Sequence, residues 1–255
     1  MGDAFKSLLI WSGVGMLVLI WLPMLAVCRL FDRDPAHYRT GKLFRKLGKS
    51  ISRINPSWKI TISGHININD RKPYVMVCNH LSQADIPLIS NLPWEMKWVA
   101  KKELFDLPVV GWMMKLAGDI SVDRRAVNRK KATFEQARFN LENQCSVMFF
   151  PEGTRSRNGK LKTFAKGAFE LAIREKVDIL PLVIDGTQNT LPKKSWKFGV
   201  ARNIRLKVLD PVSTEEYDLN DVSTFSLEVR SKIADQLAKW RGEDEVLIQN
   251  ADKTD

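Results

Sequence analysis

Three short, nearly continuous apolar runs constrain this chain more than anything else in it: residues 74–78 (YVMVC), 146–150 (SVMFF) and 179–184 (ILPLVI). Runs of this length without polar alternation suit strands covered on both faces, as in parallel sheets. The stretches between them carry helical spacing instead. One covers about 126–142, with Phe134, Ala137 and Leu141 on one side; another covers about 164–176, with Ala168, Leu171 and Ala172. A last amphipathic helix is expected near 224–240, through Val229, Ile233, Leu237 and Trp240. Upstream, Trp58, Ile60, Ile62, Ile66 and Ile68 alternate with mostly polar residues, the pattern of a half-buried strand, before a turn at 69–73. Strands alternating with helices predict one α/β domain with a central, largely parallel sheet flanked by helices. At 255 residues and 44% apolar, the chain is long enough to fill such a core and carry an appendage.

The appendage is at the N-terminus. Residues 8–28 (LLIWSGVGMLVLIWLPMLAVC) hold no charge, and about 20 apolar helical residues cross a bilayer core. The run exceeds the roughly 7–15-residue apolar region of a cleavable signal, and no convincing A-x-A site follows. Val27 is too large for the lipoprotein signal that 25–28 loosely resembles. Gly13, Gly15 and Pro23 leave room for a kink, so spanning, interfacial and re-entrant placements stay open beside a buried core helix. Asp34-Pro35 reads as an N-cap followed by proline at the first helical position, opening a helix over about 35–54. Its apolar stripe is Leu43, Phe44, Leu47, Ile51 and Ile54, and Arg39, Lys42, Arg45, Lys46, Lys49 and Arg53 fill the remaining positions. A basic amphipathic helix beside an apolar segment predicts an anchor on an anionic membrane surface; the alternative is a helix packed on the domain with a solvated basic face. Lys and Arg crowd in after residue 28, with only Lys6 before it, which places the main domain on the cytoplasmic side. The chain therefore divides into membrane-anchoring helices over 1–56, a main domain over 57–241 and a polar tail over 242–255.

Forty Lys and Arg against 29 Asp and Glu, a net charge of +11, call for an anionic partner: a lipid surface, a nucleotide-bearing substrate or nucleic acid. Cys28, Cys78 and Cys145 are odd in number and sit in or beside apolar runs, so they read as buried small side chains in a reducing compartment.

Chemistry concentrates where the apolar runs end. Asn79-His80 follows the run 74–78 directly, the place where α/β sheets build their sites. His80 and Asp85 are five residues apart and would not share a helical face. They meet only if His80 lies in a turn and Asp85 in or near the next helix, where the carboxylate would fix one imidazole nitrogen and leave the other as a base. No Ser or Cys is placed as a covalent partner, so the nucleophile would be a substrate hydroxyl. The competing reading is a capping box, Ser82-x-x-Asp85, in which the aspartate serves only a helix end. A second strand end carries Pro151-Glu152-Gly153-Thr154-Arg155-Ser156, with a carboxylate, hydroxyls and a guanidinium suited to holding a phosphate and a polyol. Between the two, residues 118–124 (GDISVDR) end a short strand on Arg124.

Together these segments resemble the glycerolipid acyltransferase family, the lysophosphatidic acid and glycerol-3-phosphate acyltransferases. Its first block, N-H-x-x-x-x-D, is met by Asn79, His80 and Asp85. The second, G-x-I-x-[IV]-[DN]-R, is met by Gly118, Ile120, Val122, Asp123 and Arg124. The third, F-P-E-G-T-R-S, is matched in full by 150–156, and the fourth, an apolar run around a proline, by 179–184 with Pro181. Order and spacing match over about Trp58 to Gly186. Ser121 departs from the aromatic residue frequent in the second block, which bears on acceptor preference rather than on chemistry.

The resemblance implies that His80 is the general base, oriented by Asp85, and that it deprotonates an acceptor hydroxyl attacking an acyl thioester of coenzyme A or acyl carrier protein. It implies phosphate binding by Arg124 and Arg155, with Lys101 a further candidate. Glu152 would hold a glycerol hydroxyl or the turn itself, Gly153 would let the backbone approach, and Thr154 lies in the same turn. The cluster Arg124, Arg125, Arg129, Lys130 and Lys131 would meet phosphates of lipid or carrier. The expected reaction is acylation of lysophosphatidic acid to phosphatidic acid, on the cytoplasmic face of a bacterial inner membrane, with glycerol-3-phosphate, other lysophospholipids or a lyso-aminolipid as alternative acceptors. No cofactor beyond the thioester co-substrate is expected. No metal is expected either, because three scattered histidines without H-E-x-x-H or paired cysteines make a poor ligand set. A non-catalytic basic membrane or nucleic-acid binding protein is the rival of another class. It lacks the aromatic-basic repeats of a nucleic-acid module, so no nucleic-acid partner is expected.

Overall fold

The structure is a computed structural model that describes residues 3–242 except 57, 70, 124, 126, 128, 157, 189, 191–194, 200 and 201. Arg124, residues 126 and 128 of the helix expected from 126, and the tail from 243 lie outside the described residues, and Val127 is an exposed turn residue before the helix, which runs from Arg129. In chain order the elements are α1 (Asp3–Phe31), α2 (Tyr38–Ile54), β1 (Trp58–Gly64), β2 (Val75–Cys78), α3 (Asp85–Ile89), β3 (Met96–Lys101), α4 (Lys102–Phe105), α5 (Val110–Ala117), β4 (Ile120–Val122), α6 (Arg129–Glu142), β5 (Ser146–Phe149), α7 (Gly167–Glu175), β6 (Ile179–Asp185), β7 (Arg202–Val208) and α8 (Val222–Arg241).

The strands form one sheet in the order β1-β7-β6-β2-β5-β3-β4. Every pairing is parallel except β6 with β7. The three apolar runs are β2, β5 and β6, which lie side by side at the centre. Their side chains alternate between two buried layers, as strand geometry requires. Val75, Val77, Val147, Ile179 and Val183 face α6, α7 and α8 with Leu141, Phe169, Phe225 and Ile233, whereas Met76, Cys78, Met148, Leu180 and Ile184 join Leu81, Leu88, Ile89 and Trp94. Each such side chain contributes on the order of 1.5–3 kcal/mol when fully buried.

Two strands were not evident from the sequence. In β7 (RNIRLKV) the apolar residues alternate with charged ones, and Ile204, Leu206 and Val208 are buried. In β3 (MKWVAK) a lysine interrupts the apolar run, yet Lys97 is fully buried. It is neutralised by Glu95 at 3.0 Å and donates to the Ala117 carbonyl at 2.7 Å.

The start of α2 also differs from expectation. Asp34 caps a turn, accepting the Ala36 N–H at 2.9 Å, and the helix proper begins at Tyr38. Asp32 captures the first turn instead, because its carboxylate accepts both the backbone N–H (2.8 Å) and the hydroxyl (2.7 Å) of Thr40. Arg45, expected on the solvated basic face, is buried; its guanidinium meets Asp119 at 2.7 Å and Glu95 at 3.5 Å.

Pro23 does not interrupt α1, which is the one helix among the described residues long and apolar enough to cross a membrane. One face of it lies on the domain. Leu17, Val18, Trp21, Leu22 and Leu25 pack with Leu43, Phe44, Leu47 and Met113 of α2 and α5. Nearer the N-terminus, Ser7 Oγ accepts the Phe198 N–H at 3.0 Å and Trp11 Nε1 donates to the Trp196 carbonyl at 2.7 Å. The opposite face leaves Leu8, Leu9, Met16, Leu19, Ile20, Val27, Leu30 and Phe31 exposed.

The cysteines give a direct check on packing. Burial pushes the Cys145 thiol up to about 12 and the Cys78 thiol well above its ordinary value, while Cys28 stays partly exposed. Because the thiolate is the reactive form, native protein exposed to iodoacetamide at pH 8 takes up at most one adduct, at Cys28, and three after denaturation. Rapid native labelling of Cys78 or Cys145, read by peptide mass spectrometry, would contradict this packing.

Candidate active site

The strand ends on either side of β2 decide what surrounds His80. β2 lies between β5 and β6, so the turns that leave these three strands converge. Asn79 ties the first to the third: its amide donates to the Ile184 carbonyl at 2.9 Å and accepts the Ile184 N–H at 2.8 Å, extending the β2–β6 ladder by one side chain.

His80 lies in the turn after β2, and Asp85 is the first residue of α3. The imidazole Nδ1 stands 2.7 Å from Asp85 Oδ2. That same oxygen accepts the backbone N–H groups of Leu81 (2.7 Å) and Ser82 (2.9 Å), while Oδ1 accepts the Thr187 hydroxyl at 2.6 Å. The carboxylate thus closes the turn and also holds the imidazole, whereas the capping box Ser82-x-x-Asp85 does not form: Ala84 is the N-cap of α3, no side chain caps it, and Ser82 Oγ accepts the Ala84 N–H at 3.3 Å. Pro87 is compatible with this because the helix starts at Asp85, so proline falls in its first turn, where its missing N–H has no intrahelical partner to lose. The Asp85 side chain is fully buried and the His80 side chain keeps 17% of its surface. The ring lies flat on Phe150, centroids 4.0 Å apart, and Phe150 in turn stacks on Trp98 at 5.7 Å.

The turn at 150–156 grips the His80 backbone from both sides. Glu152 Oε1 accepts the His80 N–H at 2.7 Å, and the Ser156 N–H donates to the His80 carbonyl at 2.8 Å. Glu152 Oε2 accepts the Lys162 N–H at 3.2 Å. Burial raises the Glu152 carboxyl above its ordinary value, against the backbone N–H groups of His80 and Lys162, which pull it down. Of the two tasks expected for Glu152, holding the turn is the one this geometry displays. Gly153 takes φ +71°, in the left-handed region, to make the tight return. Behind the turn, Arg230 of α8 donates to the carbonyls of Leu161 and Lys162, both at 3.0 Å, and fixes the segment that supplies the Lys162 N–H.

The other expected residues are arranged more loosely. Arg155 is half-buried and Thr154 exposed in the same turn, with Thr154 Oγ1 accepting the Lys162 ammonium at 3.2 Å. Lys101 is exposed at the end of β3, beside Val122 in the register with β4. In the basic cluster, Lys130 is paired with Glu170 at 2.6 Å. Thr187 was missed. It follows Gly186 at the end of β6, and only knowledge that β6 neighbours β2 would have singled it out.

A family model described as Acyltransferase matches residues 59–185. The chain is similar to the chloroplastic 1-acyl-sn-glycerol-3-phosphate acyltransferase LPAT1 of Arabidopsis thaliana, 31% identical over 227 residues, covering 89% of this chain and 62% of that protein. It is 34% identical to the 1-acyl-sn-glycerol-3-phosphate acyltransferase of Saccharomyces cerevisiae, covering 83% and 69%, and 30% identical to the alpha enzyme of Mus musculus, covering 85% and 75%. It thus spans under two thirds of the plant chloroplast proteins, 62% and 64% of their lengths. The crystal structure of the 1-acyl-sn-glycerophosphate acyltransferase PlsC from Thermotoga maritima has the same fold, with a TM-score of 0.75 at 24% identity, covering 92% of this chain and 96% of that one. Identity and coverage of the yeast and mouse relatives place this chain in the 1-acyl-sn-glycerol-3-phosphate acyltransferase family.

Proposed function

We propose that the protein transfers an acyl group from a thioester to the free hydroxyl of lysophosphatidic acid, yielding phosphatidic acid. The observation that carries this reading is the His80–Asp85 pair. A buried carboxylate holds Nδ1 at 2.7 Å, and the imidazole keeps an open side. With Asp85 ionised, Nδ1 carries the proton and the Nε2 lone pair is the base. Nε2 takes the proton of the acceptor hydroxyl as its oxygen attacks the thioester carbonyl. The C–S bond breaks, and the imidazolium returns the proton to the departing thiolate, so a thioester and an alcohol become an ester and a thiol. Asp85 stabilises the imidazolium between these steps. Arg155 and Arg124 would hold the acceptor phosphate, for which planar guanidinium groups offer two parallel donors, with Lys101 a further candidate. Coenzyme A and acyl carrier protein both supply the required thioester.

The membrane arrangement belongs to the same reading, and the docked face of α1 supports it. A helix docked along one face from Ser7 to Leu25 cannot cross a bilayer without drawing the domain in with it. It lies in the plane of the cytoplasmic leaflet of a bacterial inner membrane, with Leu8, Leu19, Ile20 and Phe31 in the acyl region and Arg39, Lys42, Lys46, Lys49 and Arg53 of α2 at the headgroups. Leu19→Glu/Ile20→Glu lowers binding to vesicles with anionic lipid at least about tenfold, two charges being far more costly in that layer than two aliphatic side chains. Unchanged co-sedimentation would remove α1 from the interface.

The reaction is tested by giving the protein an acyl thioester and, in parallel, lysophosphatidic acid, glycerol-3-phosphate and neutral and zwitterionic lysolipids. The expected product is phosphatidic acid, with lysophosphatidic acid the fastest acceptor by kcat/KM. Faster transfer to another acceptor would keep the chemistry and replace the substrate; no transfer to any would overturn the proposal.

A further inference from the structure

Thr187 belongs to none of the four sequence blocks and falls beyond the region matched by the family model, which ends at 185. It is fully buried, and its hydroxyl donates to Asp85 Oδ1 at 2.6 Å. Three features bring it there. Asn79 locks the end of β6 against the His80 turn through both polar groups of Ile184. Gly186 then turns the chain at φ +91°, where a Cβ would stand 2.3 Å from the Asn203 carbonyl oxygen, so a side chain is not accommodated. Finally, the Thr187 carbonyl accepts both the backbone N–H (3.1 Å) and the hydroxyl (2.7 Å) of Thr190, which fixes the peptide that carries the side chain.

The two oxygens of Asp85 are unequally served. Oδ2 accepts His80 Nδ1 and two backbone N–H groups, whereas Thr187 is the donor recorded for Oδ1 among the described residues. Rotation of the carboxylate about its Cβ–Cγ bond is opposed at one end by short bonds that a turn can follow, and at the other by a hydroxyl anchored on a different strand. Without that hydroxyl, a fully buried carboxylate oxygen is left unsatisfied, and the plane of the carboxylate is no longer tied to the sheet. We propose that Thr187 is a positioning residue of the acyl-transfer site, its buried hydroxyl holding Asp85 Oδ1 so that Oδ2 stays in line with His80 Nδ1. This role rests on the reading of His80 as the base, though the coupling itself can be observed without turnover.

The test compares Thr187→Val, which keeps the shape and removes the hydroxyl, with Thr187→Ser, which keeps the hydroxyl. The first readout is the exchange-protected Nδ1–H signal of His80 in protein labelled with 15N-histidine, assigned by its loss in His80→Ala. Thr187→Val is expected to broaden or abolish it and Thr187→Ser to retain it. The second readout is turnover. Thr187→Val lowers kcat at least about tenfold, the scale of one hydrogen bond to a charged group, with KM for donor and acceptor within about twofold of wild type, and Thr187→Ser recovers most of kcat. A wild-type signal and kcat in Thr187→Val overturn the proposal, as does equal impairment of both variants, which would mean a packing role. Should Thr187→Val fail to melt cooperatively, Thr187→Ala replaces it, and equality of Ala and Ser is the overturning result. If wild type transfers no acyl group while the signal depends on the hydroxyl, acyl transfer falls and the Thr187–Asp85–His80 coupling stands.

Discussion

His80→Ala lowers kcat for acyl transfer by about 10²–10⁴-fold, the contribution of a well-placed general base, while KM for the thioester changes little. The imidazole meets only the proton that moves in the transition state, so its loss removes an interaction that the ground state does not make. The fold should barely notice. The side chain is partly exposed, and what truncation forfeits is its stack on Phe150 and its bond to Asp85, whose Oδ2 keeps two backbone donors. Thermal melting and steady-state kinetics on the same preparation separate these effects: a melt within a few degrees of wild type beside a collapse in kcat. Transfer at wild-type rate by a folded His80→Ala protein would return Asp85 to a purely structural role in the turn.

Arg45→Met is expected to cost about 3–5 kcal/mol of stability, because it strips one cation from a balanced and fully enclosed set of charges. Arg45 bonds both oxygens of Asp119 at 2.7 and 2.9 Å and faces Glu95 at 3.5 Å, and Lys97 meets Glu95 at 3.0 Å. Asp119 also accepts the Trp98 N–H at 3.0 Å, joining the α5–β4 turn to β3. Burial presses on the Arg45 guanidinium, but Asp119 and Glu95 hold it above its ordinary value; burial likewise drives the Glu95 carboxyl up against the pull of Lys97 and Arg45. Helix α2 approaches so closely that a Cβ on Gly41 would stand 1.9 Å from Glu95 Oε1. Little room therefore exists for water to replace the guanidinium. At roughly 2–4 °C per kcal/mol for a chain of this size, the melting temperature should fall by about 6–20 °C. Lys102→Ala, which breaks an exposed pair with Asp123, leaves it close to wild type. A similar melt for Arg45→Met and wild type would mean that solvent reaches this cluster.

Residues 74–80 and 150–156 show how far a sequence can be read here. Continuous apolar runs ending in polar turns identified the central strands and where their chemistry emerges, because strand periodicity and strand ends are local properties. The same local signal failed at Lys97, whose charge hides a buried strand position, and at Arg45, whose helical spacing matches the neighbouring Lys42, Lys46 and Lys49, none of which is buried. Both are decided by partners 2 to 74 residues away in the chain, Glu95 and Asp119.

The sequence by itself determined the alternation of strand and helix, the apolar N-terminal segment, and the presence of His80, Asp85 and Glu152 at strand ends. Tertiary structure alone decided that β2 lies between β5 and β6, and from that order the site follows. It turns Glu152 onto the His80 backbone and brings the Thr187 hydroxyl 102 residues along the chain to Asp85; packing on α2 and α5, a separate tertiary choice, lays α1 along the domain instead of away from it. Periodicity reports which face of an element is buried; which neighbour buries it depends on the strand order, and no spacing within a single segment encodes that.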